Sequence, residues 1–229
     1  MNMARTLTTY VDLERLQTLG ERASIIIRLM MAGNDIALAN QCLGYYKDEA
    51  SSVNNDIRRG AGLYFIKMQC GHMNEAIMLI EEINKDEYLL ERVKRCSGFA
   101  KDAFDKLKKC LSGGCDEKKF AQYIRQIRHN TAFHYSNKLV GKALADRAGR
   151  TESRRSKITC GDNISLWRLH LADDILDSIV CRHIWKIPRT ASSRQEADNI
   201  ADFGGDLCVA FLDFSGEYIF RFVKEHAAY

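Results

Sequence analysis

Proline is almost missing from this chain. At ordinary usage 229 residues would carry about ten, and this sequence carries one, Pro188. Proline removes a backbone donor and clashes with the preceding helical turn, so its exclusion points to a chain that spends most of its length in helices. Long apolar runs are missing as well. The greasiest stretch, Ala23 to Ala32, is interrupted by Arg28 and falls well short of the roughly 20 residues that a bilayer-crossing helix needs. The N-terminal residues turn polar at Thr8, Thr9 and Asp12, so no secretory leader is expected. Eight cysteines are scattered without a Cys-x-x-Cys pair, which argues against a zinc knuckle and a compact disulfide scaffold. They are expected to be reduced, mostly buried thiols of a cytoplasmic protein. P-loop, dinucleotide and nucleophile-elbow fingerprints are also lacking.

What remains is an ordinary globular balance, 46% hydrophobic and 28% charged, in a chain long enough to bury a core without metal or disulfides. The net charge of +4 is unevenly spread. Between Lys118 and Arg168 twelve Lys and Arg face three acids, a local balance of +9, which leaves −5 for the rest. Clustered cations suit a polyanion such as RNA, because each neutralised phosphate releases counterions. A solvated basic face is the other reading, and composition does not choose between them.

Apolar periodicity predicts helices over Thr9–Met31, Asp35–Glu49 after a break at Gly33-Asn34-Asp35, a long helix ending near Ile83, Asp86–Cys96, Phe99–Leu111, Glu117–His129, Ile164–Trp185 and Arg194–Lys224. Asp116, beyond the Ser112-Gly113-Gly114 turn, is expected to cap its helix. Arg147–Asn163 reads as a basic loop, and Arg155–Cys160 is the one place where a strand is conceivable. The expected fold is all-α, an up-and-down bundle. Residues 1–146 form the main body, 147–163 the loop, and 164–229 additional C-terminal helices packed upon it.

One segment breaks the helical pattern. Phe120, Ile124 and Ile127 step along a buried face, then Arg128-His129-Asn130 places three polar groups in a row before Phe133-His134-Tyr135. On one unbroken helix Arg128 and His134 would lie about 240° apart. For them to meet, the chain must kink or start a new helix near Asn130. Asn130 and His134, four apart, would share a face.

An Arg, a polar residue and a His spaced as Arg128, His129 and His134 are resembles the signature of the HEPN (higher eukaryotes and prokaryotes nucleotide-binding) superfamily. Arg125, the Phe133-His134-Tyr135 ending and Gly71-His72-Met73-Asn74-Glu75-Ala76 resemble its abortive-infection branch and related bacterial proteins. The resemblance implies a helical bundle, usually a homodimer, with the motif at the dimer cleft. Its active members are metal-independent endoribonucleases, and phage defence or stress response is the implied setting. Carried over, Arg128 and His134 would be catalytic with Asn130 orienting a histidine or the phosphate. Arg125, His129, Lys138, Arg150, Arg154 and Arg155 would hold nucleic acid. One toxin branch carries a residue between its His and a modified Tyr; here Tyr135 follows His134 directly, so no such role passes to it.

The residue types suit that chemistry. Cleavage of RNA by its own 2′-hydroxyl needs a base, an acid and cation density on the phosphate; imidazole moves protons near neutrality and guanidinium grips phosphate oxygens. One chain offers one such pair, so two copies would complete the site. In the alternative reading Arg128 and His134 tie a helix end to neighbouring groups, and the protein is a non-catalytic helical interaction module with a protein partner in a defence or toxin–antitoxin pair. A metal-binding bundle is a third reading, through His72 and Glu75 facing His170, Asp173 and Asp177. It lacks the Glu-x-x-His pairs that di-iron bundles use, so no metal or other cofactor is expected.

Overall fold

In the computed structural model the described residues are 8–48, 55–132, 134–150, 155–160, 162, 169–190 and 193–228. Among the described residues helix content is 79% and there is no strand. The helices are α1 (Leu13–Gln17), α2 (Glu21–Lys47), α3 (Asn55–Lys85), α4 (Glu87–Lys94), α5 (Gly98–Lys108), α6 (Glu117–Phe120), α7 (Asn137–Ala148), α8 (His170–Ser178) and α9 (Ser193–His226). No helix among the described residues is long and apolar enough to cross a membrane.

The start of the chain differs from the periodicity reading. Instead of one helix from Thr9, Asp12 caps the short α1 by accepting from the Glu14 and Arg15 amides at 3.0 and 3.1 Å. The chain then turns at Gly20, whose φ of +58° costs little without a Cβ, and α2 begins at Glu21. Conversely, α2 runs straight through Gly33-Asn34-Asp35, where a break was expected. Ile26, Leu29 and Ile36 are fully buried on both sides of that point, and burial of this face outweighs the ~1 kcal/mol that a helical glycine costs. Asp35 is not a cap; its carboxylate lies 3.4 Å from His72 Nδ1 on α3.

Packing does not follow chain order. α2 lies along α3, while α9 packs against both α5 and α2. The centre of the core is an aromatic column on α9, with Phe211, Phe214, Tyr218 and Phe222 all buried. Phe214 stacks on Phe104 of α5 with ring centroids 4.8 Å apart, and Tyr218 donates its hydroxyl to the Leu89 carbonyl at 3.2 Å. Glu217 accepts from the Ser97 amide and hydroxyl at 2.8 and 2.5 Å, tying the first turn of α5 to α9. At the ends, Asp12 N–H donates to Ala227 O at 2.8 Å, and Val11 bridges to Ala228.

Six of the cysteines are buried or half-buried and only Cys115 and Cys160 are exposed, and all eight are free. Burial pushes the Cys208 and Cys110 thiols up to about 12, which keeps them protonated and unreactive.

The second half is less regular. α6 passes directly into a π-helical turn at Ala121–Arg125 and, after Gln126 and Ile127, into another at Arg128–Ala132. Asp116 stands at the N-cap position, but its side chain makes no capping bond; the cap contact runs from the Gly113 amide to Glu117 Oε2 at 2.9 Å. α8 likewise ends in a π-helical turn, Ile179–Ile184. The expected loop from Arg147 starts two residues later, after α7, and residues 155–158 are neither helix nor strand. α8 and its π turn fall within the helix expected over Ile164–Trp185; residues 163–168, where that helix was expected to begin, lie outside the described residues.

Candidate functional site

Phe120, Ile124 and Ile127 are buried as their spacing requires, so the polar run that follows is held at the edge of the core. The buried Thr131 hydroxyl donates back to the Ile127 carbonyl at 2.9 Å, a local bond that competes with regular helix geometry. The helix stops at residue 132 and α7 starts at Asn137, with Ser136 Oγ accepting from the Leu139 amide at 3.4 Å. The chain therefore does break, a few residues beyond Asn130.

Arg128 is half-buried. Its Nη2 lies 3.3 Å from Glu75 Oε1 on α3 and its Nη1 3.4 Å from His129 Nδ1. Its Nε is buried with no hydrogen-bond partner. Asn130 is clasped to its own helix, with Nδ2 donating to both the carbonyl and the Oε1 of Gln126 at 2.8 and 2.9 Å; only its Oδ1 is left to meet anything else. His134 is exposed and has no hydrogen bond or ion pair among the described residues. Within one chain, then, the structure gives Arg128 an acidic partner and leaves His134 in solvent; it does not bring the two into contact. Lys138 is exposed nearby, on the first turn of α7.

The other expected nucleic-acid residues scatter. Arg125 stacks over the Phe120 ring, 5.7 Å from its centroid. Arg155 is exposed, and Arg154 lies outside the described residues. Arg150 instead joins a group the sequence did not disclose. Burial lowers its pKa, and so do the neighbouring cations Arg189, Arg147 and Arg182, with Asp146 opposing them. Arg147 is anchored on the buried carboxylate of Asp174 at 2.7 Å, which also holds Arg59 at 2.9 Å. Arg182 donates to the Ile187 and Pro188 carbonyls at 2.7 and 2.8 Å. His183 Nε2 sits 3.4 Å from Asp146 Oδ2, an ion-pair distance without hydrogen-bond geometry, and Arg189 is 3.8 Å from the same oxygen. Lys186, beside them, holds a φ of +58°, unusual for a residue with a side chain.

The metal donors are already committed. His72 faces Asp35, Glu75 faces Arg128, and Asp177 lies 3.7 Å from Arg59. Among the described residues no three metal-type side chains converge on one point.

This arrangement offers two exposed imidazoles, His129 and His134, a half-buried guanidinium in the same stretch of sequence, and a separate arginine cluster at the far end of α7. The twelve residues of α7 span roughly 18 Å, at 1.5 Å per residue. No known protein family, curated protein or solved structure matches the chain.

Proposed function

We propose that this protein binds RNA and cleaves it without metal, as a HEPN-like helical bundle whose Arg128 and His134 act from two copies facing each other in one cleft. The observation that carries this reading is the exposed His134, free of any partner among the described residues, six positions beyond the half-buried Arg128. An imidazole that faces solvent is available to a ribose hydroxyl in a way that a clasped histidine is not. Lys138 and the Arg150 cluster supply cation density at the two ends of α7. That length matches about five phosphates of a stacked strand. Phage defence or a stress response in the cytoplasm is the setting that the motif's resemblance suggests.

The test is incubation of purified protein with labelled tRNA and bulk RNA, with and without EDTA. Cleavage is expected with either treatment, and His134→Ala should slow it on the order of 10²–10⁴-fold without changing the melting temperature. Activity that survives this substitution, or that needs added Mg²⁺ or Mn²⁺, overturns the mechanism.

A second reading has its own observation. The Arg128–Glu75 ion pair and the Asn130–Gln126 clasp are what a structural helix end would display, and they favour a non-catalytic interaction module. In that case His134→Ala has no RNA phenotype, while Glu75→Arg lowers stability.

A further inference from the structure

Bounded by α3, the 134–136 segment, α7 and α8 is an open cavity of about 500 Å³. Its walls are aliphatic. Val140, Ile158, Leu169 and Leu171 stand exposed at its mouth, and Ile175 and Ile179 are buried beneath them. A soluble surface seldom groups so many large apolar side chains without using them.

One cation faces this apolar space. Lys67 of α3 lines the cavity yet is only 7% exposed. Among the described residues its ammonium has no hydrogen bond and no ion pair. Its neighbours are the ring faces of Tyr135 and Tyr64, 5.6 and 6.0 Å from the centroids. Asp173 also lines the cavity, outside ion-pair distance of Lys67. Burial pushes the Lys67 pKa down, and the attraction of Asp173 opposes this only in part. The side chain is buried along its length while its ammonium opens onto the cavity, with no anion in contact among the described residues.

We propose that this cavity binds an amphipathic anion, with a carboxylate or phosphate head on Lys67 and a hydrocarbon body along the aliphatic walls. The two halves of the site call for the two halves of such a ligand: among the described residues the lone cation lacks an anion, and the open apolar walls lack a cover. Its volume lies within the ~300–1,000 Å³ of ordinary small-molecule sites. A nucleotide fits less well, because bases are held by stacking on aromatic planes and among the described residues the cavity offers a single ring, Tyr135. Asn130, Thr131 and Ser136 line one side. An occupant would therefore abut the segment that carries His134, although the site stands whether or not RNA is cleaved there.

Isothermal titration of the full chain with decanoate, with decanol and with acetate separates head from body. Wild-type protein is expected to bind decanoate about ten- to a hundred-fold more tightly than decanol, the worth of one charge-assisted hydrogen bond, and to bind acetate hardly at all. Lys67→Met keeps the reach of the side chain and removes its charge, so decanoate and decanol should then bind alike. Asp173→Asn should tighten decanoate a few-fold and leave decanol unchanged, and it decides the matter should the Lys67 variant fail to fold. Three results overturn the proposal: no saturable decanoate binding, a decanoate preference that persists in Lys67→Met, or displacement of decanoate by uridine monophosphate at lower concentration.

Discussion

The bundle of α2, α3, α5 and α9 and the stretch from α6 through α8 treat their polar groups in opposite ways. In the first, the buried faces are mainly apolar, with Asn74 and Ser215 as polar exceptions, and polar side chains close the helix ends: Asp86 caps α4 at Leu89 N, and Ser97 caps α5 at Ala100 N. In the second, helices swell into π turns, and the buried Arg128 Nε and Ser178 Oγ lack hydrogen-bond partners. A half-buried arginine group gathers there, and apolar side chains stand open to water. A fold gains little from such features, and functional sites are where they collect. Stability resides in one half of the molecule, and the chemistry we propose resides in the other.

The comparison breaks most visibly if a core truncation is mild. Phe214→Ala, in the aromatic column, should cost about 3–5 kcal/mol, whereas Val140→Ala at the cavity mouth should stay within about 0.5 kcal/mol; chemical denaturation measures both. Next in size is the polyanion effect. Arg150→Gln combined with Arg189→Gln should make the slope of log binding constant against log salt shallower by about two, read by fluorescence anisotropy on labelled RNA. An unchanged slope would remove the arginine cluster from the interface.

Acid should act on the first half. His226 accepts the Arg92 Nε–H at 2.8 Å, so its Nε2 carries no proton in this arrangement. Burial and the Arg92 charge lower its pKa, with Glu225 opposing and Arg95 adding to the depression. Its protonation therefore favours the unfolded chain. The stability it contributes is complete above the unfolded value near 6.5 and is lost as pH falls below that. Melting temperature should drop between pH 7.5 and 5.5, and His226→Gln should flatten that drop. The smallest effect belongs to Glu75→Gln. Half-exposed, its pair with Arg128 is worth about 0–1 kcal/mol, so melting should barely move. Freed of its acidic partner, Arg128 should bind RNA more tightly, and no gain would sharpen the case for a structural role.

Much of the first half was legible in the sequence because its determinants are local. The steps of three and four from Cys70 to Ile83 and the dearth of proline each specify helix without reference to anything distant. Gly33 misled because its local cost is real, while the packing of Ile26, Leu29 and Ile36 on other helices decides the outcome. The second half resists such reading for the same reason. A π turn has no composition of its own; it depends on how Ile127 and Thr131 seat against α3. Arg182 and Arg189 stand more than thirty residues beyond Arg147 and Arg150 in the sequence, and only the return of the chain after α8 makes them neighbours. Lys67 sits between Ile66 and Cys70 on the edge of an apolar stripe, and nothing within α3 announces that Tyr135 and the α8 side will close over it.

The π turns carry a consequence for how this sequence tolerates change. Each accommodates one residue more than the α-helical turn it replaces while the flanking helix keeps its phase. Removal of one residue within Ala121–Arg125 should therefore turn the bulge into an ordinary helical turn and leave Phe120 and Ile127 facing the core as before. The same deletion in the middle of the regular helix α3 would rotate every side chain beyond it by about 100° and carry Met73 and Ile77 off the core face. The stretch leading to Arg128 is thus buffered against a change in residue count that the regular helices cannot absorb.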